Sequence, residues 1–330
     1  MWNEKLVYVL VDLGFEQSKC DHSMFVMTKD TVFIVLHVYV DDIIISVNCS
    51  KQINDIKQLL KSKFLIKDLG KLQYFLGIEV IRNSTSLCLT QRKYCLDLLA
   101  EFRMTGYKPV SCPIKANHVL SHLCEKDNQP LTNITVYQKL LGKLIYLSHT
   151  RPDIAYSVHY LSQFMHSPLQ AHFKIALRLL RYLKGAPGKG ILFKKGESLN
   201  IKAFSDSDWA KCLSSRKSVT GFCVFLGNNL VSWKSKKQST ISRSSAEAEY
   251  RSICAATCEI IWISNHLREL KIDSKLPVQL CCDNTASISI AANPVFHERT
   301  KHFEIDLFFL GEKLLKELFE QLVLIRRSSC

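Results

Sequence analysis

The chain has 330 residues, 47% of them hydrophobic, and its 44 lysines and arginines outnumber 30 acids to leave a net charge of +14. That apolar content excludes a disordered chain and is enough for more than one core. The positive excess, spread along the chain, suits a surface that tracks a polyanion such as nucleic acid, or serves solubility alone.

In chain order, "MWNEKLVYVLVDLGFEQSK" spaces Trp2, Leu6, Val9, Leu10 and Leu13 as the apolar face of a helix that ends at Gly14. "DTVFIVLHVYV" and "IIISV" read as two strands of a hairpin, with Asp41 and Asp42 as the acidic turn between them. "SKQINDIKQLLKSKF" follows as an amphipathic helix, then "LQYFLGIEVI" and "SLCLTQ" as a hairpin and "RKYCLDLLAEF" as a helix. Pro109, Pro113 and "CEKDNQPLTNIT" mark a looser connector before a helical block running from "VYQKLLGKLIYLSHTRPDIAYSVHYLSQFM" to "LQAHFKIALRLLRYLKG". Gly185, Pro187, Gly188 and Gly190 give the clearest domain boundary. Beyond it "NIKAFSDSDW", "SVTGFCVFLG" and "LVSWKSK" are β-rich, the last two joined by an Asn-Asn turn; a helix over "SSAEAEYRSICAATCEIIWISNHLREL", a strand "PVQLCCDN" and further helix complete a β-β-β-α-β-α order.

No uncharged stretch has the length a bilayer needs, and no secretory leader pattern opens the chain, so no membrane partner is expected. The 13 cysteines form no CxxC pair and no spaced Cys/His set. They read as buried free thiols of a reducing, intracellular protein, cytoplasmic or nuclear.

Asp41 and Asp42 are like charges side by side in an apolar hairpin. An ordinary polar turn accounts for such a dipeptide; so does a divalent cation that compensates both carboxylates, and Mg²⁺ suits one or two carboxylates plus phosphate oxygens. The flanks weigh on this choice. "YVDD" within "LHVYVDDIIIS" resembles the polymerase box of retroelement reverse transcriptases. "KDLGKLQYFLGIEV", "QRKY", "LLGKLIYLSHTRPDIAYSVHYLSQFM" and "LRYLKG" resemble the Pol polyprotein of Ty1/copia-class LTR retrotransposons over nearly the whole chain.

The resemblance implies that Asp41 and Asp42 bind Mg²⁺, with Mn²⁺ as an alternative ion. It also implies a third metal-binding aspartate upstream. Asp12, Asp21 and Asp30 sit in no matching motif, so polymerisation by this chain alone is not expected.

A second set of acids lies in the last third: Asp206 in "AFSDSDW", Glu247 in "SSAEAEY" and Asp283 in "CCDN". In a β-β-β-α-β sheet these positions can converge at one edge, where mutual repulsion calls for a metal. Each also has a plainer reading: Glu247 stands three residues after Ser244, a capping-box spacing; Asp206 or Asp208 suits a turn; Asp283 with Asn284 suits a helix cap. Helical angles do not separate Glu247 from Glu249; the resemblance to copia-type ribonuclease H favours Asp206, Glu247 and Asp283 as catalytic and metal-binding acids, acting on the RNA strand of an RNA·DNA hybrid.

The basic run "SWKSKKQSTISRSS" offers Lys234, Lys236, Lys237 and Arg243 for phosphate contacts, or a solvated polar edge. Trp233 suits either a core or stacking on a sugar. The family's fourth acid, which follows one more strand, has no counterpart in "LFEQLVLIRRSSC"; Glu304 and Asp306 are poor substitutes in the preceding helix. Phe308, Gly311 and Val47 also depart from the family pattern.

The expected fold is α+β followed by α/β: a partial reverse transcriptase palm (1–105), a helical thumb or connection (106–190), and a C-terminally incomplete ribonuclease H-like mixed sheet with helices (191–330). The expected partners are an RNA·DNA hybrid and other parts of the Pol polyprotein. The rival expectation is a non-catalytic, basic nucleic-acid-binding remnant of a degenerate element.

Overall fold

The computed structural model describes residues 2–29, 31–40, 42–48, 52–115, 129–196, 198–272, 278–292 and 322–326. They divide into two units, residues 1–75 with 260–274, and residues 76–259 with 275–330.

The first unit opens with α1 (Trp2–Asp12), closed by Gly14 at φ +90°, as the helix-end signal requires. An antiparallel sheet of β1 (Glu16–Gln17), β2 (Met24–Lys29), β3 (Val32–Tyr39) and β4 (Asp42–Val47) follows, then α2 (Ile53–Lys63). Leu6 and Leu10 of α1, Phe25, Ile34 and Leu36 of the sheet, and Ile56 and Leu60 of α2 close one core.

β2 was not legible as a strand, although it pairs with β3 along its whole length, from Met24 opposite His37 to Lys29 opposite Val32. At the next hairpin Tyr39 pairs directly with Asp42, so Asp42 is the first residue of β4 and not a turn residue. Val40 takes the turn at φ +49°, a left-handed conformation costly for a β-branched side chain. Asp41 lies outside the described residues.

The second unit holds a helical core and two groups of strands. β6 (Ile78–Arg82) and β7 (Ser86–Thr90) form the expected hairpin; β5 (Tyr74–Phe75) precedes them at the end of the first unit. The core is built by α3 (Arg92–Glu101), α4 (Ile134–Leu147), α5 (Ala155–Ser162) and α6 (Gln170–Lys184). Leu98, Leu140, Leu144, Leu161, Leu179 and Leu183 recur at helical spacing and are all buried there.

Arg151 lies between α4 and α5, is only 1% exposed, and is fully engaged. Its guanidinium donates to both oxygens of Asp153 at 2.9 Å and, through Nη1, to the Ala186 carbonyl at 2.9 Å. Tyr182 also donates to Asp153 at 2.7 Å. Burial pushes the Asp153 carboxyl up. The hydrogen bonds from Arg151 and Tyr182 and the charges of Arg151 and Lys189 outweigh it and hold the group at about 2.

The glycine-rich break after α6 is a packing joint. It leads into β8 (Ile191–Lys194), which pairs antiparallel with β7, so residues 191–194 join the earlier strands. A Cβ on Gly190 would overlap the Leu89 carbonyl, and one on Gly188 would crowd Arg92. Gly190 permits close approach of two backbones, and Gly188 leaves room for the Arg92 side chain.

β9 (Ile201–Asp208), β10 (Val219–Leu226), β11 (Asn229–Lys237), β12 (Val278–Cys282) and β13 (Leu322–Arg326) form a mixed sheet in the order β11-β10-β9-β12-β13. β9, β10 and β11 are antiparallel, and β12 and β13 continue the sheet in parallel. The tight turn between β10 and β11 is Gly227-Asn228, with Gly227 at φ +58°, one residue earlier than the Asn-Asn reading. β13, formed by "LVLIR", adds one more strand to the end of this sheet, parallel to β12. The long helix α7 (Ser245–Glu269) and the short α8 (Thr285–Ala292) flank β12 in sequence. Among the described cysteines there is no disulfide; Cys95, Cys254, Cys281 and Cys282 are buried, while Cys258 is exposed.

Two stability measurements follow from this architecture. Gly190→Ala forces β7 and β8 apart and should cost on the order of 3 kcal/mol in denaturant unfolding. Asp153, with its pKa depressed below the ordinary 3.8, contributes stability above pH 4 that is lost as pH falls toward 2. Asp153→Asn should remove that pH dependence and, by leaving Arg151 buried without its anion, cost on the order of 3 kcal/mol at neutral pH.

Candidate metal centre

Strand register brings the first two acids together. β9 and β12 run parallel with Phe204 opposite Cys281, so two residues further on Asp206, near the end of β9, lies beside Asp283, just past the end of β12. Both are exposed. The start of α7 is fixed over this end by Ser252, whose hydroxyl donates to the carbonyls of Asp206 at 2.8 Å and Gly221 at 3.1 Å.

Three residues before Ser252 on the same helix stripe is Glu249, 6% exposed. Its Oε1 accepts from the Ser207 amide at 3.0 Å, and the Cys282 thiol donates to Oε2 at 3.8 Å. Glu249, Cys282 and Asp283 each present one ligand atom, all within 4.8 Å of one another. Burial raises the Glu249 carboxyl, and the charges of Asp206 and Asp283 raise it further. These outweigh the Ser207 and Cys282 hydrogen bonds and bring the group to about 7. The Cys282 thiol is pushed up to about 11, chiefly by burial, so it stays a protonated donor.

Glu247 has different work. Its backbone N–H donates to Ser244 Oγ at 3.2 Å, and its Oε2 accepts from the Arg243 amide at 2.8 Å, which satisfies the helix start from both sides. Its Oε1 also pairs with Arg251 one turn on at 2.8 Å, and the residue is 1% exposed. Glu249, rather than Glu247, is the glutamate whose carboxyl senses the charges of Asp206 and Asp283. Two signals in the sequence pointed this way: Ser244 at capping distance from Glu247, and Arg251 at the i+4 position that pairs with it.

The remaining candidates are dispersed. Asp208 is ion-paired with Lys211 at 3.4 Å. Lys234 and Lys236 are exposed on β11, and Arg243 is exposed before α7. Lys237 is half-buried; its amide donates to His159 Nε2 at 2.7 Å and its Nζ lies 3.8 Å from Cys212 Sγ. Asp42 is exposed at the start of β4, while Asp41, Glu304 and Asp306 lie outside the described residues.

A family model described as reverse transcriptase (RNA-dependent DNA polymerase) matches residues 1–116. The Pol polyprotein of transposon RE1 from Arabidopsis thaliana is 43% identical over 313 residues, covering 95% of this chain and 21% of that protein. This chain thus spans about a fifth of the length of that relative. An uncharacterised mitochondrial protein of Arabidopsis thaliana is 42% identical over 229 residues, 69% of this chain and 94% of the relative. A ribonuclease H1 structure, LC11 isolated from compost by a metagenomic approach, aligns with TM-score 0.31 and 11% identity over 39% of this chain and 84% of its own.

The Glu249 environment makes a pH-dependent prediction. In the metal-free protein a carboxyl raised from 4.5 to about 7 carries a stability contribution present at low pH and lost as pH rises through 7. Glu249→Gln should be more stable than the parent at pH 8, by on the order of 2 kcal/mol. The two should converge near pH 4.5. Mg²⁺ should raise the melting temperature of the parent at pH 8 and leave that of the variant unmoved.

Proposed function

Since this chain belongs to the Ty1/copia-type retrotransposon Pol polyprotein family, we propose that its second unit is a Mg²⁺-dependent nuclease for the RNA strand of RNA·DNA hybrids, with Asp206, Glu249 and Asp283 as metal-binding catalytic acids. The observation that carries this reading is that Glu249 and Asp283 present ligand atoms within 4.8 Å of each other, with Asp206 beside Asp283 in the β9/β12 register and its charge acting on Glu249, which is raised to about 7. Such a cluster is disfavoured unless a cation offsets the charge. The donor set of hard carboxylate oxygens, partly open to solvent, suits Mg²⁺, with Mn²⁺ as a substitute.

Asp206, Glu249 and Asp283 would hold the cation, which would supply activation of a water and stabilisation of the leaving 3′ oxygen. The chain's own residues prepare this arrangement. The Ser207 amide fixes one Glu249 oxygen, and the Ser252 hydroxyl locks α7 to the strands that carry Asp206. Arg251 and the Arg243 amide hold Glu247 and so keep the first turn of α7 in place. Glu249 gives up its proton as the cation arrives. Lys234, Lys236 and Arg243, exposed around the sheet edge, are positioned for phosphates, with Lys237 the least free of the four. Contacts to 2′-hydroxyls would separate the RNA strand from the DNA strand. Asp41 and Asp42 fall in the segment that matches the reverse transcriptase model and are proposed as Mg²⁺ ligands of the polymerase half, acting with other parts of the Pol polyprotein.

The test is incubation of the purified chain with an RNA·DNA hybrid and Mg²⁺ beside Asp206→Asn. The parent should cut the RNA strand, and the variant should be at least a hundredfold slower, in line with loss of a metal-positioning group. Equal silence from both would favour a non-catalytic nucleic-acid-binding protein.

A further inference from the structure

A groove of about 370 Å³ adjoins the acid cluster. That is near the lower end of the range of about 300–1,000 Å³ for small-ligand sites. Its floor follows from the sheet register. Phe204, Cys223 and Trp233 stand in one row across β9, β10 and β11, and the next row toward the acids is Asp206, Gly221 and Ser235. With no side chain at Gly221, the second row has a gap between Asp206 and Ser235. Pro152, Ala155 and Tyr156, from the start of α5 and the turn before it, line the groove as well.

The lining has a definite chemistry. Trp233, Tyr156 and Phe204 are only half-buried and present aromatic surface. One cation stands beside a ring of this face, with Lys202 Nζ 5.1 Å from the Phe204 centroid; Lys234, next to Trp233 on β11, turns to the opposite face, its Nζ 5.9 Å from the centroid of Phe222. Asp206 and Asp283 close one end. Aromatic faces for bases, an ammonium group for a phosphate, and a metal-binding end form the chemistry of a single nucleotide that continues into a strand held at the metal.

We propose that this groove binds an unpaired nucleotide of the substrate strand flanking the scissile phosphate, its base against Trp233 and its phosphate toward Lys202. The inference rests on the nuclease reading of the acid cluster. It adds to that reading a preference for hybrids with a single-stranded extension beside the cleavage point. A fully paired duplex keeps its bases stacked on one another and offers nothing to the aromatic rings. An overhang or frayed end offers one free base at little cost.

Binding is measured with the full chain in Ca²⁺, on two RNA·DNA hybrids of the same sequence. One is blunt and the other carries a one-nucleotide overhang of 2-aminopurine. The parent should bind the overhang hybrid about tenfold more tightly and quench its fluorescence. Trp233→Leu, which removes the stacking ring, and Gly221→Val, which fills the gap, should both bind the two hybrids alike. A Cβ at Gly221 meets nothing closer than the Asp206 carbonyl at 3.8 Å, so a side chain there enters the groove without overlapping the backbone; unchanged thermal unfolding of the variant checks that the fold is kept. A parent with no preference, or variants that keep it, would overturn the proposal. Cleavage in Mg²⁺, assayed on the same preparations, reports separately: overhang preference without cleavage by the parent would uphold the groove and refute the nuclease reading.

Discussion

The repulsion among Asp206, Glu249 and Asp283 is the constraint on which the reading of this molecule depends. Two of these acids lie near the ends of neighbouring parallel strands, and the third is pressed toward them by a helix whose Ser252 hydroxyl is bonded to β9 and β10. Burial alone would favour a neutral Glu249, and the two aspartates add to that preference. A fold optimised only for stability would place an apolar residue there. Keeping a carboxylate at this point makes sense when a cation supplies the missing charge, so the local instability and the proposed chemistry have one cause.

The rest of the second unit is held by a helical core, a buried ion pair and a close strand contact. Helical spacing of leucines builds the core of α3, α4, α5 and α6. The buried Arg151 ties the entry to α5 to the turn after α6, through Asp153 on one side and the Ala186 carbonyl on the other. The same turn leads into β8, which sits against β7 so closely that only glycine fits at position 190. Pro152, Ala155 and Tyr156, next to this ion pair, also line the groove beside the acids. A structural salt bridge and a candidate binding surface are thus built on neighbouring residues.

Much of this was legible from residue patterns. The leucine periodicities of α4 and α6, the alternation in β9 and the capping serine before α7 all rest on local physics, and each element formed where that physics placed it. What was not legible depends on partners distant in sequence. β2 is short and becomes a strand by pairing with β3. The glycine run after α6 looks like a linker until β7 is seen lying against it. The strand Leu322–Arg326 is recognisable by its parallel register with β12.

At the site itself, Asp206 and Asp283 were singled out by resemblance and by their place near the ends of strands, whereas Glu247 and Glu249 differ only by a rotation about the helix axis. Ser244 and Arg251 satisfy the first, and the Ser207 amide receives the second.

The most direct test of the central claim is a calorimetric titration of Mn²⁺ into the parent, Glu247→Gln and Glu249→Gln at pH 8. Saturable binding retained in Glu247→Gln and abolished in Glu249→Gln would match the geometry. The reverse pattern, or heats of binding identical in all three proteins, would contradict it.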